Sequence, residues 1–438
     1  MFQLRRVIGV RALALTMVNL TVGAGIFGLP ALAARELGAS AVFAYLVCVV
    51  LVGLVGLCLA EVGSRLSGAG GVYGYATASY GPFAGTVTGH LLWFANGAVG
   101  NAAIAVLMVD TLGVLVPVFA APLPRAAVLL AYYAALAAIN VRGTRQGVGL
   151  SQLTTVLKLA PLVGLVIFGL PHVHRANLHL GGTFSAGALG RTAALLFFAF
   201  MGFEAGLNAS GEVTAPARTV PRAILLALIQ IAALYLGLQI VAQGVLGPAL
   251  GAAGDAPLGA TAREAFGAAG GTVMLVAALL ATGGVLAADV LATSRVVYAL
   301  GRDGVLPEAL GRVDRARGTP AVAIVAYAAV CAVLALSGTF RVLATLSASG
   351  TLCIYLVCCT GLLRLRARGV REEGEPFVVP GGPVVPVLAT LTVLGVLAGL
   401  TRRDVLALGA LLLAAVTLAL LRRRRARPSA AGDHGPKK

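Results

Sequence analysis

Apolar stretches long enough to cross a bilayer recur along nearly the whole chain, separated by short polar segments. Length and hydropathy predict about twelve helical spans. They lie at 10–34, 41–63, 84–112, 125–141, 150–170, 191–211, 222–246, 271–299, 320–337, 340–363, 383–400 and 404–421, numbered here 1 to 12. Span 1 contains T-M-V-N-L-T-V-G-A-G-I-F-G-L-P, Thr16 to Pro30. Gly23, Gly25, Gly28 and Pro30 weaken or kink a helix at that depth. A span broken there frees backbone N–H and C=O groups, tolerable only where protein or a cavity satisfies them. Such ends bind charge, amides attracting a carboxylate and carbonyls a cation. The other reading is an unbroken span whose glycines pack tightly on a neighbour.

A second interruption lies five helices later. Leu195 to Val213 reads L-L-F-F-A-F-M-G-F-E-A-G-L-N-A-S-G-E-V, with Gly202 and Gly206 beside Glu204. The first broken span runs outward from the cytoplasm and the second runs inward. Two interrupted spans in matching positions of opposed halves signal the inverted repeat of a secondary transporter. The expected architecture is therefore all-α and membrane-integral. Residues 1–9 form a cytoplasmic N-terminus, 10–170 the first five-helix repeat, 191–363 the inverted second, 383–421 helices 11 and 12, and 422–438 a basic cytoplasmic tail.

A hydrophobic fraction of 59% and a charged fraction of 11% do not describe a soluble domain. No secretory signal is expected, because the first apolar run has spanning length, contains the break and lacks a cleavage site. The six cysteines all fall in spans, without disulfide or zinc spacing. The net charge of +17 invites a nucleic-acid reading, but its placement argues otherwise. With the N-terminus inside, 24 basic residues lie on the cytoplasmic side, eight outside, and Lys158 within a span. The positive-inside rule then puts both termini of a multi-pass cell-membrane protein in the cytoplasm, with no nucleic-acid partner.

Four separated motifs resemble those of the amino acid–polyamine–organocation (APC) permeases, which share the fold of the bacterial leucine transporter. V-G-A-G-I-F-G-L-P in span 1 resembles the family's G-[SA]-G-I-F-x-x-P. Glu61 to Gly81 resembles E-x-x-S-R-x-P-x-A-G-G-x-Y-x-Y. F-F-A-F-M-G-F-E through G-E-V-T-A-P-A-R-T-V-P-R-A-I is similar to F-x-G-F-E…E-V-x-N-P-x-R-x-x-P-x-A-I. S-R-V-V-Y-A-L-G-R-D-G-V-L-P with G-T-P resembles the segment after span 8. The likeness covers roughly 10–365. Ser67 stands where proline is usual, Ala31 replaces a glycine, and Ala215 replaces the asparagine of N-P.

Lys158 is the sharpest single residue: of 33 basic residues only Lys158, Lys437 and Lys438 are lysines. Lysine can lose its proton when desolvated and arginine effectively cannot. The resemblance implies that a lysine on span 5 takes the place of sodium in sodium-coupled relatives, with its ammonium near carbonyls of Asn19 and Val22 and near span 8. The alternative is a lysine snorkelling to an interface. Glu204, at the second break, is expected either to partner a proton or the substrate amine, or to cap broken-helix amides. Asp289, on span 8, either pairs with Lys158 or lines a water-filled inner vestibule. Lys158, Glu204 and Asp289 are the candidate proton-coupling groups.

The expected substrate site follows from the breaks. Amides of Gly23, Ala24 and Gly25, with Ile26, would hold an α-carboxylate at a helix N-terminus. Carbonyls around Phe198, Phe200 and Gly202 would take the α-ammonium, and by resemblance Phe198 is an aromatic lid, unless it simply packs in the core. Few charged side chains accompany this site, which favours a neutral or apolar amino acid. Asp110 and His90 in span 3 read as structural. His172, His174 and His179 crowd one loop without a carboxylate or cysteine, so no metal site and no cofactor are expected. No lysine is followed by Ser or Thr, which excludes a Walker A loop and an ATP motor; no nucleophile–base spacing suggests an enzyme. The reading is a proton-coupled amino acid transporter working by alternating access, the alternative a sodium-independent amino acid or amine exchanger.

Overall fold

A computed structural model of the chain describes residues 9–23, 25–66, 71–142, 148–179, 185–204, 213–254, 256–314, 317–371 and 375–425. Every predicted span falls on helix. Span 1 is two helices, Val10–Thr21 and Gly25–Leu37, and span 2 is Ala41–Arg65. A short helix, Gly71–Tyr80, precedes span 3, which runs Pro82–His90, then a nine-residue π-helical stretch Leu91–Val99, then Gly100–Leu115. Spans 4 and 5 are Pro122–Arg142 and Val148–Gly169, and span 6 is Ala186–Phe200. Span 7 is Pro216–Leu246, span 8 Pro257–Arg302, span 9 Ala321–Ser337 and span 10 Phe340–Ala367. Spans 11 and 12 are Val384–Ala398 and Arg402–Arg425. Among the described residues, seven helical stretches are long and apolar enough to cross a membrane, with shorter apolar helices between them.

Two spans differ from the hydropathy reading for a physical reason. Span 6 begins earlier, where Ser185 accepts the Ala188 N–H at 3.1 Å, and its helix stops at Phe200 rather than continuing to 211. Span 8 extends back to Pro257 and turns at Gly267, whose φ of 77° only glycine adopts without strain. Threonines inside the spans satisfy their hydroxyls on the preceding turn, as Thr21 does on Met17 and Thr111 on Leu107. The helices approach through small residues: a Cβ on Gly56 of span 2 would lie 2.9 Å from Leu228 of span 7. The six cysteines are free, and all but the partly buried Cys353 are buried.

The E-x-x-S-R motif has a structural explanation. Glu61 is fully buried at the end of span 2 and accepts from Arg65 Nε at 2.9 Å and from Arg366 Nε of span 10 at 2.8 Å. Its other oxygen accepts the Val379 N–H at 2.8 Å and Arg366 again at 2.5 Å. Arg65 also donates to the Val370 carbonyl and Arg366 to that of Gly382. One carboxylate thus fastens span 2, span 10 and the segment leading to span 11. Losing this carboxylate would leave two guanidinium groups facing each other.

Glu61→Gln should therefore destabilise the protein by ~3–5 kcal/mol, the scale of a broken buried ion pair. The check is thermal unfolding of the purified protein in detergent; a loss below ~1 kcal/mol would mean the cluster does not hold these elements together. A second expectation concerns Ala215, which precedes span 7 with φ 43° and ψ 64°. A left-handed alanine costs ~1 kcal/mol and asparagine tolerates that region better, so Ala215→Asn should raise the melting temperature.

Candidate functional site

The first half of span 1 ends in mid-chain. Val22 caps it by donating its N–H to Val18 O at 2.8 Å, and Gly23 donates to Thr21 O at 2.7 Å. The last-turn carbonyls of any helix need other partners, and here each has an identifiable neighbour. The Lys158 ammonium, 5% exposed, donates directly to Asn19 O. Leu20 O lies against Gly202, where a Cβ would come within 2.7 Å of it. Thr21 O faces the Tyr235 hydroxyl at 3.1 Å. A cation at the C-terminal end of a half-helix also meets the negative pole of its dipole.

The second break is built differently. Span 6 stops at Phe200, Met201 is extended (ψ 154°), and Gly202 turns at φ 111°. Glu204 folds back, accepting the Gly202 N–H at 2.9 Å. Its buried carboxyl is approached by Tyr355 of span 10 and by Asn96, which sits in the π-helical stretch of span 3 and donates to Thr351 at 3.1 Å. Wide turns of this kind gather at functional sites because they displace a helix's regular bonding. The two breaks touch. Gly202 packs on Leu20 and Thr21, and Gly25 packs on Ala199, where an added Cβ would meet the backbone at 3.0 Å.

Tyr235 of span 7, fully buried, joins them: its hydroxyl lies 3.1 Å from Thr21 O and 2.8 Å from Ala199 O. Sequence reasoning passed over this residue. The available signal was a phenol within an aliphatic span, since a buried hydroxyl requires a partner.

The predicted site residues divide. Gly23, Gly25 and Ile26 are buried at the first break, with Val285 of span 8 at 3.6 Å from where a Gly23 Cβ would be. The Gly23 amide donates within its own turn, so in this state it does not face outward to a carboxylate. Ala24 lies outside the described residues. Phe198 stands edge-on to Phe340 of span 10 at 5.9 Å. Phe200 points the other way, into the packing between Tyr45 and Tyr235 at 6.5 and 5.0 Å, because residues two apart on a helix face opposite sides. Lys158 contacts Asn19, while Val22 serves as the cap. Asp289 makes no ion pair with Lys158; it is half-buried and bonded to Asn101, Thr293 and Tyr327.

The flanking residues are structural in their contacts. Asp110 pairs with Arg125 at 2.9 Å, and Trp93 donates to His90 Nδ1 at 3.3 Å. His172 stands edge-on to Phe266. Among the described residues no group of His, Cys, Asp and Glu could hold a metal ion. Burial is uneven about the breaks. The second half of span 1 is buried at all but a few positions, whereas the first half exposes Arg11, Ala12, Leu15, Thr16 and Leu20 along one face.

A family model described as amino acid permease matches residues 8–421. A branched-chain amino acid permease, BcaP of Lactococcus lactis subsp. cremoris, is 30% identical, with 87% of each chain covered. The BcaP of Bacillus subtilis is 26% identical over 89% of this chain and 86% of its own. The serine/threonine exchanger SteT of B. subtilis is 27% identical, covering 88% and 89%. Helices broken in contact at mid-span, a lysine on a helix-end carbonyl and a family match over almost the whole length agree: the chain belongs to the amino acid permease family of membrane transporters.

Proposed function

We propose that this protein is a proton-coupled secondary transporter of neutral, mainly apolar amino acids, working by alternating access in the cell membrane with both termini cytoplasmic. The observation that carries the reading is the Lys158 ammonium on the Asn19 carbonyl. Protonated, Lys158 fastens the first half of span 1 to span 5. Neutral, it gives up most of that attraction, and the half-helix is free to move. Proton binding at Lys158 and substrate binding at the breaks are then linked through the movement of span 1. Glu204, bonded to the Gly202 amide, is a second group whose protonation would loosen the neighbouring break. The halves 10–170 and 191–363 rock about the two breaks, with spans 11 and 12 appended.

The substrate's α-carboxylate would lie at the start of the second half-helix of span 1, on the amides of Gly25 and Ile26. Its α-ammonium would take carbonyls of the span 6 break beside Tyr235, under Phe198. A neutral side chain fits because the nearby acids are already engaged, Glu204 by Gly202 and Asp289 by three donors. The names of the relatives, branched-chain permeases and a serine/threonine exchanger, support the same substrate class. The exchanger among them keeps sodium-independent exchange as the second reading.

Proteoliposome uptake of a labelled amino acid panel tests this. The native chain should accumulate neutral amino acids on an inward proton gradient without sodium. Lys158→Ala should retain downhill flux but lose the response to the gradient, and Lys158→Arg, permanently charged, should lose both. Gradient-driven accumulation persisting in Lys158→Ala would remove Lys158 from the coupling. Uptake that ignores the gradient and requires internal amino acid would establish exchange. Tyr235→Phe removes one buried hydrogen bond worth ~1 kcal/mol and should raise KM about fivefold. An unchanged KM would place the substrate away from the junction of the breaks.

A further inference from the structure

Spans 5 and 8 enclose a groove that the breaks do not use. Span 8 turns at Gly267, and its first stretch, 257–266, folds back along the helix that follows. A Cβ on Gly259 would lie 2.9 Å from Leu275, and one on Gly270 would lie 2.7 Å from Phe266, so the two limbs pack closely. Against this folded unit stands the last part of span 5, from Pro161 to Phe168. Between them is a cavity of about 300 Å³, and none of the nine residues lining it has a polar side chain. Cavities of this kind stay dry and take apolar guests.

Gly164 makes the room. A Cβ there would meet nothing closer than Phe168 Cδ2 at 4.0 Å, whereas one on Gly169, at the end of the same span, would run into Val241 at 2.6 Å. One side of the groove is open. Phe168 is 67% exposed and Val273 59%, and with Ile167 and Val276 they continue the apolar surface that faces the bilayer. At 1.5 Å of rise per residue, the span 5 wall runs about 10 Å along the membrane's depth.

The aqueous end carries charge. His172, just past the end of span 5, stands edge-on to Phe266 at 5.6 Å. Arg263, one turn before Phe266, is exposed and lays its Nε near Gly271. Helix periodicity puts Arg263 beside the groove-lining Ala262 and Phe266, and turns the exposed Glu264 to the opposite side. An apolar slot open to lipid, with a guanidinium at its mouth, matches a phospholipid with its chain inside and its phosphate outside.

We propose that this groove is a binding site for one acyl chain of a membrane phospholipid, whose phosphate is held by Arg263. Pro161, at the deep end of the groove, has no N–H to donate, which leaves span 5 one hydrogen bond short there. The lipid chain braces that weak point against span 8. The site requires only that the protein lies in a bilayer, so it stands apart from the ion that drives transport.

The full chain, purified in detergent and stripped of lipid, is titrated with dioleoyl phosphatidylglycerol. Binding is followed by native mass spectrometry and stability by thermal melting. One lipid should bind ahead of the others and raise the melting temperature. Gly164→Leu fills the groove, and so, from the other wall, does Val273→Trp; each should lose that lipid and its thermal shift. Gly395→Leu adds the same side chain on span 11, where space is also open, and should keep both. The lipid-dependent shift, rather than the melting temperature itself, is compared because replacing a helical glycine stabilises by itself. Arg263→Gln should weaken phosphatidylglycerol about fivefold, the contribution of one basic residue near anionic headgroups. It should leave dioleoylglycerol, which has the chains without the phosphate, unchanged. Retention of the lipid and the shift in both groove-filling variants, or their loss in Gly395→Leu, would overturn the site. Native protein that binds dioleoylglycerol as tightly as phosphatidylglycerol would overturn the phosphate contact. A dimer that disappears in both groove-filling variants, with no lipid bound ahead of the others, would assign the groove to a second copy of the chain instead.

Discussion

A backbone carbonyl in the middle of a membrane cannot be left without a partner, and this constraint organises the structure. Breaking span 1 frees the carbonyls of Asn19, Leu20 and Thr21, and three other spans come to meet them. Span 5 contributes an ammonium, span 6 a close backbone contact at a glycine, and span 7 a phenol. Each element has the residue its role demands. The ammonium donates to a helix-end carbonyl, the contact at Gly202 has no room for a Cβ, and the phenol reaches from a neighbouring helix. The interruption is therefore a point at which spans 1, 5, 6 and 7 are held together.

The rest of the fold supplies rigidity around that point. Glu61 fastens spans 2 and 10 at one end of the bundle, and the Asp289 network ties spans 3, 8 and 9. These two clusters satisfy their acids in different ways. Glu61 pairs with two guanidinium groups, while Asp289 is bonded to an amide and two hydroxyls.

Much of this was legible in the sequence, and the exceptions are instructive. The break in span 1 could be read because glycine and proline inside an apolar run are local signals. Lys158 could be read because it alone among the membrane-embedded positions is a lysine. The stop of span 6 at Phe200 could not, since the apolar run continues past it while Gly202 and Glu204 turn the backbone. Tyr235 and Asn101 were invisible because their meaning lies in partners up to 214 and 188 residues away. Phe200 was placed with the substrate by proximity in sequence, whereas helical geometry turns it into the scaffold. The motif around Glu61 was recognised, but its chief partner, Arg366, lies 305 residues further on.

The Tyr235 hydroxyl has a single proton and stands between two carbonyls. Thr21 O keeps the Gly23 N–H whichever way the hydroxyl turns, so giving the phenol's proton to Ala199 O strands neither carbonyl. One proton thus serves the ends of two interrupted helices by turns, and a shift of span 1 or of span 6 at this point changes the bonding of the other.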